Sequence, residues 1–252
     1  MSKESINNTI RLLNLYKESG VDEAIGNIIN NRTKIIAKNM KKINKREVEA
    51  MINTIQPEND NIDKISTLDQ LKKTMSEFKG CELYKSATNM VFSDGNPDSE
   101  VMLIGEAPGH DEDIQAKPFV GRSGKLLDKM LEAIDLGRDK VYIANIIPWR
   151  PPANRRPTEN EINICLPFLK KHIELINPKA IMLLGSTATY ALLKNKESIS
   201  QVRGKWVDIT INSISFPTLP TFHPAFLLRQ PGQKKHVWED LQNLRDKIKK
   251  SD

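Results

Sequence analysis

The chain has 252 residues, enough for one substantial domain or for a domain with an extension. Apolar residues make up 38% and charged ones 28%, which argues for a buried core and against wholesale disorder, and the net charge of +6 points to an anionic partner, nucleic acid first. No stretch approaches the roughly 18 apolar residues of a membrane span, no signal-peptide core opens the chain, and Cys81 and Cys165 are too few for a disulfide framework, so a soluble, reducing, cytoplasmic setting is expected.

Residues 1–75 are polar, rich in Asn, Lys and Ile, and read as a helical or flexible extension ahead of a folded domain over 76–252. Leu12, Leu13, Leu15 and Tyr16 fit one short amphipathic helix. Between Arg32 and Arg46 stand seven basic residues and no acidic one. That run is either an arm for DNA phosphates or a solvated helix face, and charge pattern alone favours the second. Gln56 to Asn61 reads as a loop before a helix starting near Ser66.

From Glu100 onward strand and helix patterns alternate. Val101–Ile104 is a short apolar run closed by Gly105, as in a buried parallel strand. Ser123 is expected to cap a helix whose stripe is Leu126, Leu127, Met130, Leu131 and Ile134. A second strand spans Val141–Ile147 and stops at Pro148. Thr158 with Glu161 predicts a capping box for a helix reaching about Ile176. A third strand covers Ala180–Leu184, Gly185-Ser186 opens another helix, and a fourth strand ends at Thr221-Phe222. A last amphipathic helix runs from about Gln233 to Lys249. The order predicts an α/β fold, a four-stranded parallel sheet covered on both faces.

Three islands follow these strands: Gly105-Glu106-Ala107-Pro108-Gly109 with Pro118-Phe119-Val120-Gly121; Asn145 with Arg150-Pro151-Pro152-Ala153-Asn154-Arg155; and Thr221-Phe222-His223-Pro224-Ala225. Ligands of open α/β sheets bind at the carboxyl ends of the strands, so the islands are expected to share one pocket. A flat ring at Phe119 either stacks on an extruded base or belongs to the core. The Asn145 amide has donors and an acceptor that match the N3–H and O4 edge of uracil, though an Asn at a strand end is also a common structural device. His223 either donates to a base oxygen as charge develops there or satisfies a turn held by Pro224. Gly105 to Gly109 is not a dinucleotide fingerprint; it suggests a tight loop with Glu106 at its mouth.

Taken together, GEAPG with Glu112-Asp113, PFVGRSG, RPPANRRP, Val202-Arg203-Gly204 and TFHPAFLLR resemble the family 4 uracil-DNA glycosylases, over about residues 76–248. The resemblance implies a three-layer domain that hydrolyses the N-glycosidic bond of deoxyuridine in single- or double-stranded DNA during base excision repair, as a nucleoid-associated monomer. It places Gly105, Glu106, Ala107, Pro108, Phe119, Asn145 and His223 around uracil, and Glu112 and Asn154 on the attacking water. Related family 1 enzymes carry an aspartate where Ala107 stands, so that general base is absent. Arg122, Arg203, Lys205 and Arg229 are the expected phosphate contacts, helped by backbone amides near Ser123 and Ser186. Leu227 and Leu228 are the expected wedge for the gap left by the flipped base. The basic-His loop of the cross-linking relatives is missing, so covalent trapping is not expected.

One departure is large. Members of family 4 usually hold an iron–sulfur cluster on four cysteines, and Cys81 and Cys165 match the first and fourth. Tyr84 and Trp149 stand at the other two positions, and indole is not a cluster ligand. No cofactor is therefore expected, and Trp149 is expected to fill the space. Two other readings stay open: a DNA-binding member that has lost catalysis, and a hydrolase of free nucleosides or nucleotides.

Overall fold

The computed structural model describes residues 62–194 and 197–249. The expected Leu12–Tyr16 helix, the basic run and the Gln56 loop lie outside them. Helix α1 (Leu68–Glu77) begins two residues after Ser66: Thr67 is its N-cap, its hydroxyl accepting from Gln70 N–H at 3.2 Å. Residues 62–75, given to the extension on composition, carry part of the packing. Ile62, Ile65, Leu71 and Met75 are buried with Phe168 in one cluster.

The sheet has six strands. β1 (Asp94–Gly95), β2 (Val101–Gly105), β3 (Tyr142–Asn145), β4 (Ala180–Leu184), β5 (Val207–Ile211) and β6 (Ile214–Thr221) lie in the order β1-β3-β2-β4-β6-β5. The inner four are parallel, as expected, and the two edge strands are antiparallel. β2, β3 and β4 are buried along their whole length, which is why they read as unbroken apolar runs. The expected strand over Val141–Ile147 is shorter as a strand, yet Ile146 and Ile147 N–H still reach the carbonyls of Gly105 and Glu106.

Alternating side chains send each strand's residues into two layers. Met102, Ile104, Tyr142, Ala144, Ile181 and Leu183 pack under α4 (Glu159–Ile176) and α5 (Ser186–Leu193). Val101, Leu103, Ile143, Met182 and Leu219 pack under α3 (Arg122–Glu132), α7 (Pro224–Arg229) and α8 (Lys234–Lys249). On α3, Leu127 and Leu131 are fully buried, each contributing about 1.5–3 kcal/mol of transfer free energy.

The capping box at Thr158 and Glu161 is present. The cap expected at Ser123 is not: Gly121 is the N-cap of α3, and Ser123 is the second residue inside it. Two short helices, α2 (His110–Gln115) and α6 (Ile199–Val202), complete the set that positions the site.

Candidate active site

The carboxyl ends of β2, β3, β4 and β6 open into one cleft of about 680 Å³. Glu106, Ala107, Pro108, Phe119, Asn145 and His223 line it, and so do Glu112, Asn154, Ser123, Ser186 and Arg229. The three islands therefore meet. Register brings them there: Gly105 pairs with Asn145 across β2 and β3, and Leu184 pairs with Thr221 across β4 and β6.

Gly105 lies beneath the site. A Cβ there would run into Asn145 Oδ1 and the Phe119 ring, so only glycine lets both approach the strand end. The Phe119 ring is buried, and it tilts by 31° against the His223 ring at a centroid distance of 5.6 Å. Asn145 is buried as well. Its Oδ1 is the one buried side-chain polar atom among the described residues without a hydrogen-bond partner. Such an atom normally costs about 1–3 kcal/mol, so it marks a place prepared for a donor.

His223 is the N-cap of α7, whose first residue is Pro224. Its Nδ1 accepts from Ala225 N–H at 3.1 Å, which leaves the proton of a neutral ring on Nε2. Burial, and then the nearby Arg229 charge, lower its pKa to about 4. At neutral pH the ring is an uncharged donor.

Glu112, on α2, is largely engaged. Its Oε1 accepts from the backbone N–H of Val120 at 3.0 Å and of Gly121 at 2.9 Å, tying α2 to the Phe119 loop. Oε2 remains, close to Gly109. Asn154 is exposed on the facing rim, with φ 54°, its Oδ1 accepting from Arg150 Nε at 2.7 Å. The Glu106 carboxylate accepts from Thr187 Oγ1 at 2.5 Å, which fixes the GEAPG loop to α5.

The basic residues divide. Arg122 and Arg229 are exposed, with no carboxylate partner among the described residues, and Arg229 lines the cleft. Arg203 is not available: Nε bonds Asp240 Oδ2 at 2.9 Å, Nη2 bonds the His236 carbonyl at 2.6 Å, and the guanidinium sits over Phe222. Its role is to join α6 to α8. Lys205 borders a separate groove with Leu192 and Val207. Leu227 is 1% exposed and belongs to the core, so it cannot act as a wedge, whereas Leu228 is 40% exposed. Arg155 and Arg156, both within RPPANRRP, also line the cleft, a position their motif alone does not reveal. Arg155 is committed to Glu161 through contacts of 2.9 and 2.6 Å.

Cys81, which precedes a 3-10 turn over Glu82–Lys85, and Cys165, on α4, are both buried. A hydrogen bond with Cys165 is the main cause that lowers the Cys81 pKa, against burial. Trp149 is buried and Tyr84 half-buried in the same layer, with Phe78 stacked on Trp149 at 6.5 Å. Among the described residues no three His, Cys, Asp or Glu converge as metal ligands. Two thiols beside an indole and a phenol do not fit a four-ligand cluster.

Comparison with known proteins identifies the family. The model of the uracil DNA glycosylase superfamily matches residues 92–242. A type-4 uracil-DNA glycosylase of Sulfurisphaera tokodaii is 39% identical over 187 residues, 72% of this chain and 85% of the relative. The type-4 enzyme of Saccharolobus solfataricus is 41% identical over 194 residues, 75% and 87% of the two chains. That of Thermotoga maritima is 39% identical over 191 residues, 73% and 98%. No helix among the described residues is long and apolar enough to cross a membrane. With most of each relative's length covered, the chain belongs to the type 4 uracil-DNA glycosylase family.

Proposed function

We propose that the chain removes uracil from DNA by hydrolysing the bond between the base and C1′, and that it does so without an iron–sulfur cluster. The observation that carries the reading is the orphaned, buried Asn145 Oδ1, which with the Phe119 ring closes over Gly105. Uracil supplies the missing donor, its N3–H, and its O4 accepts from the same amide. Cytosine has no hydrogen on N3 and an amine at C4, so it mismatches both.

In this reading a deoxyuridine swings out of the helix and its base lies against Phe119. Opening a U·G mismatch costs less than opening a matched pair, which favours that context. As the glycosidic bond breaks, its electron pair passes onto the base, and the Nε2–H of neutral His223 donates to the oxygen that gathers charge. Water attacks C1′. Of the two residues expected to orient it, Glu112 keeps an acceptor in Oε2, while Asn154 Oδ1 is already used by Arg150. Arg122 and Arg229 face the phosphates, and Leu228 is the wedge that remains.

The test is a strand-cleavage gel on single- and double-stranded oligonucleotides containing one uracil, with free deoxyuridine as a control substrate. Excision from oligonucleotides alone is the expected result. Binding without excision identifies a DNA-binding relative, and release of uracil from the nucleoside alone identifies a nucleoside hydrolase.

A further inference from the structure

Phe119 has φ 54°, the left-handed region that residues with a Cβ avoid, so something must hold it there. What surrounds its backbone is visible. Arg138, in the 3-10 turn before β3, donates through Nη2 to the Phe119 carbonyl and through Nη1 to the Pro118 carbonyl at 3.1 Å. The same guanidinium is fixed from behind by Asp94 of β1, 2.6 Å from Nη1, and by Asp128 of α3, 2.8 Å from Nε. On the other side α3 closes in at Gly124, where a Cβ would overlap the Phe119 carbonyl. The carbonyl is thus enclosed between a fork of donors and a helix backbone.

We infer that Arg138 is a positioning residue, which sets the height of the Phe119 ring beneath the base; this rests on the stacking role proposed above. Arg138 is absent from the cleft lining and touches no atom that would react. Its side chain is 25% exposed, and all its bonds run to the loop or to the two aspartates. A planar fork can hold two carbonyls and two carboxylates at once, whereas a lysine ammonium presents one point. Arg138 therefore communicates with the chemistry only through the loop that carries Phe119. When it loosens, the ring leaves its seat on Gly105 and its tilt against His223.

A double-mutant cycle tests this, with single-turnover excision from a uracil oligonucleotide as the rate and binding of uracil-free duplex as the reference. Base stacking corresponds to about 5- to 150-fold, so Phe119→Ala should lose rate within that range. Arg138→Lys should lose about 10-fold. The double variant should fall no more than about 3-fold below Phe119→Ala, because both changes remove the same support. Affinity for uracil-free duplex should stay unchanged throughout. If Arg138→Lys folds poorly, Asp94→Asn removes one rear anchor and should give a smaller loss that is likewise masked by Phe119→Ala.

Wild-type rates in Arg138→Lys and Asp94→Asn, beside a slow Phe119→Ala, overturn the inference and leave the stacking reading intact. Losses that multiply in full overturn it too, since Arg138 would then act by another route. A wild-type rate in Phe119→Ala defeats the stacking reading itself.

Discussion

The hydrogen bond from Ala225 N–H to His223 Nδ1 gives one imidazole two jobs, and they can be separated. His223→Ala removes both. It strips the cap from α7, worth about 1 kcal/mol of stability, and it deletes the Nε2–H donor. A preorganised donor of this kind is worth roughly 2.7–4 kcal/mol in the transition state, or about 100- to 1000-fold in rate. His223→Asn should restore only the cap. Its carbonyl oxygen replaces Nδ1, but its amide nitrogen falls short of the position of Nε2 on the far side of the ring. Melting temperature should therefore recover in His223→Asn while the single-turnover rate on a uracil oligonucleotide stays near that of His223→Ala. Because burial lowers the ring's pKa to about 4, the wild-type rate should not lose a histidine-dependent step between pH 6 and 8. A rate in His223→Ala within about fivefold of wild type would refute the leaving-group role. So would a parallel drop in DNA affinity and rate, which would make the histidine a ground-state contact.

Asn145→Asp should weaken discrimination against cytosine, because a carboxylate accepts from an exocyclic amine but cannot donate to O4; unchanged uracil rate and selectivity would remove Asn145 as the edge reader. The purified protein should be colourless, and Cys81→Ser with Cys165→Ser should keep activity apart from a packing cost; broad absorbance near 400 nm with stoichiometric iron would contradict this. His172 is buried, with its pKa lowered to about 3, so its folded form resists a proton that the unfolded chain takes up near 6.5. Stability from this group is complete above about pH 6.5 and declines below it by about 1.4 kcal/mol per pH unit. His172→Phe should flatten the acid limb of a urea-denaturation series, and an equal slope in the variant would assign that limb elsewhere.

Three of the inner strands, β2, β3 and β4, were legible because they are buried on both faces and leave unbroken apolar runs between loop signals. The edges were not. β1 is two residues long, too short for any period to register. The β5–β6 hairpin turns through Asn212-Ser213, both at positive φ, without the Asn-Gly pair that usually announces such a turn. The inner strand β6 was expected at its end, Thr221-Phe222, but its start was not legible, because Pro217 and Pro220 lie within it. The cleft residues were legible because chemistry and strand ends coincide in them. Arg203 and Leu227 differ from expectation because their side chains turn inward, and neither the residue that ends α6 nor a position on the short α7 reveals its direction without the backbone's phase. Arg138 has no motif around it, and its partners Asp94, Phe119 and Asp128 come together only through folding.

The two layers of the core meet the site by different routes. Trp149, Tyr84 and both cysteines pack on the α4 side of the sheet, while Phe119 and Leu227 belong to the α3 and α8 side. Between them run strands whose hydrogen-bonded ladder sets Gly105 opposite Asn145. The indole of Trp149 fills volume in the α4 layer, and Ala107 of the cleft loop packs against that same layer, so a change of side chain there reaches the site through the loop rather than through the sheet.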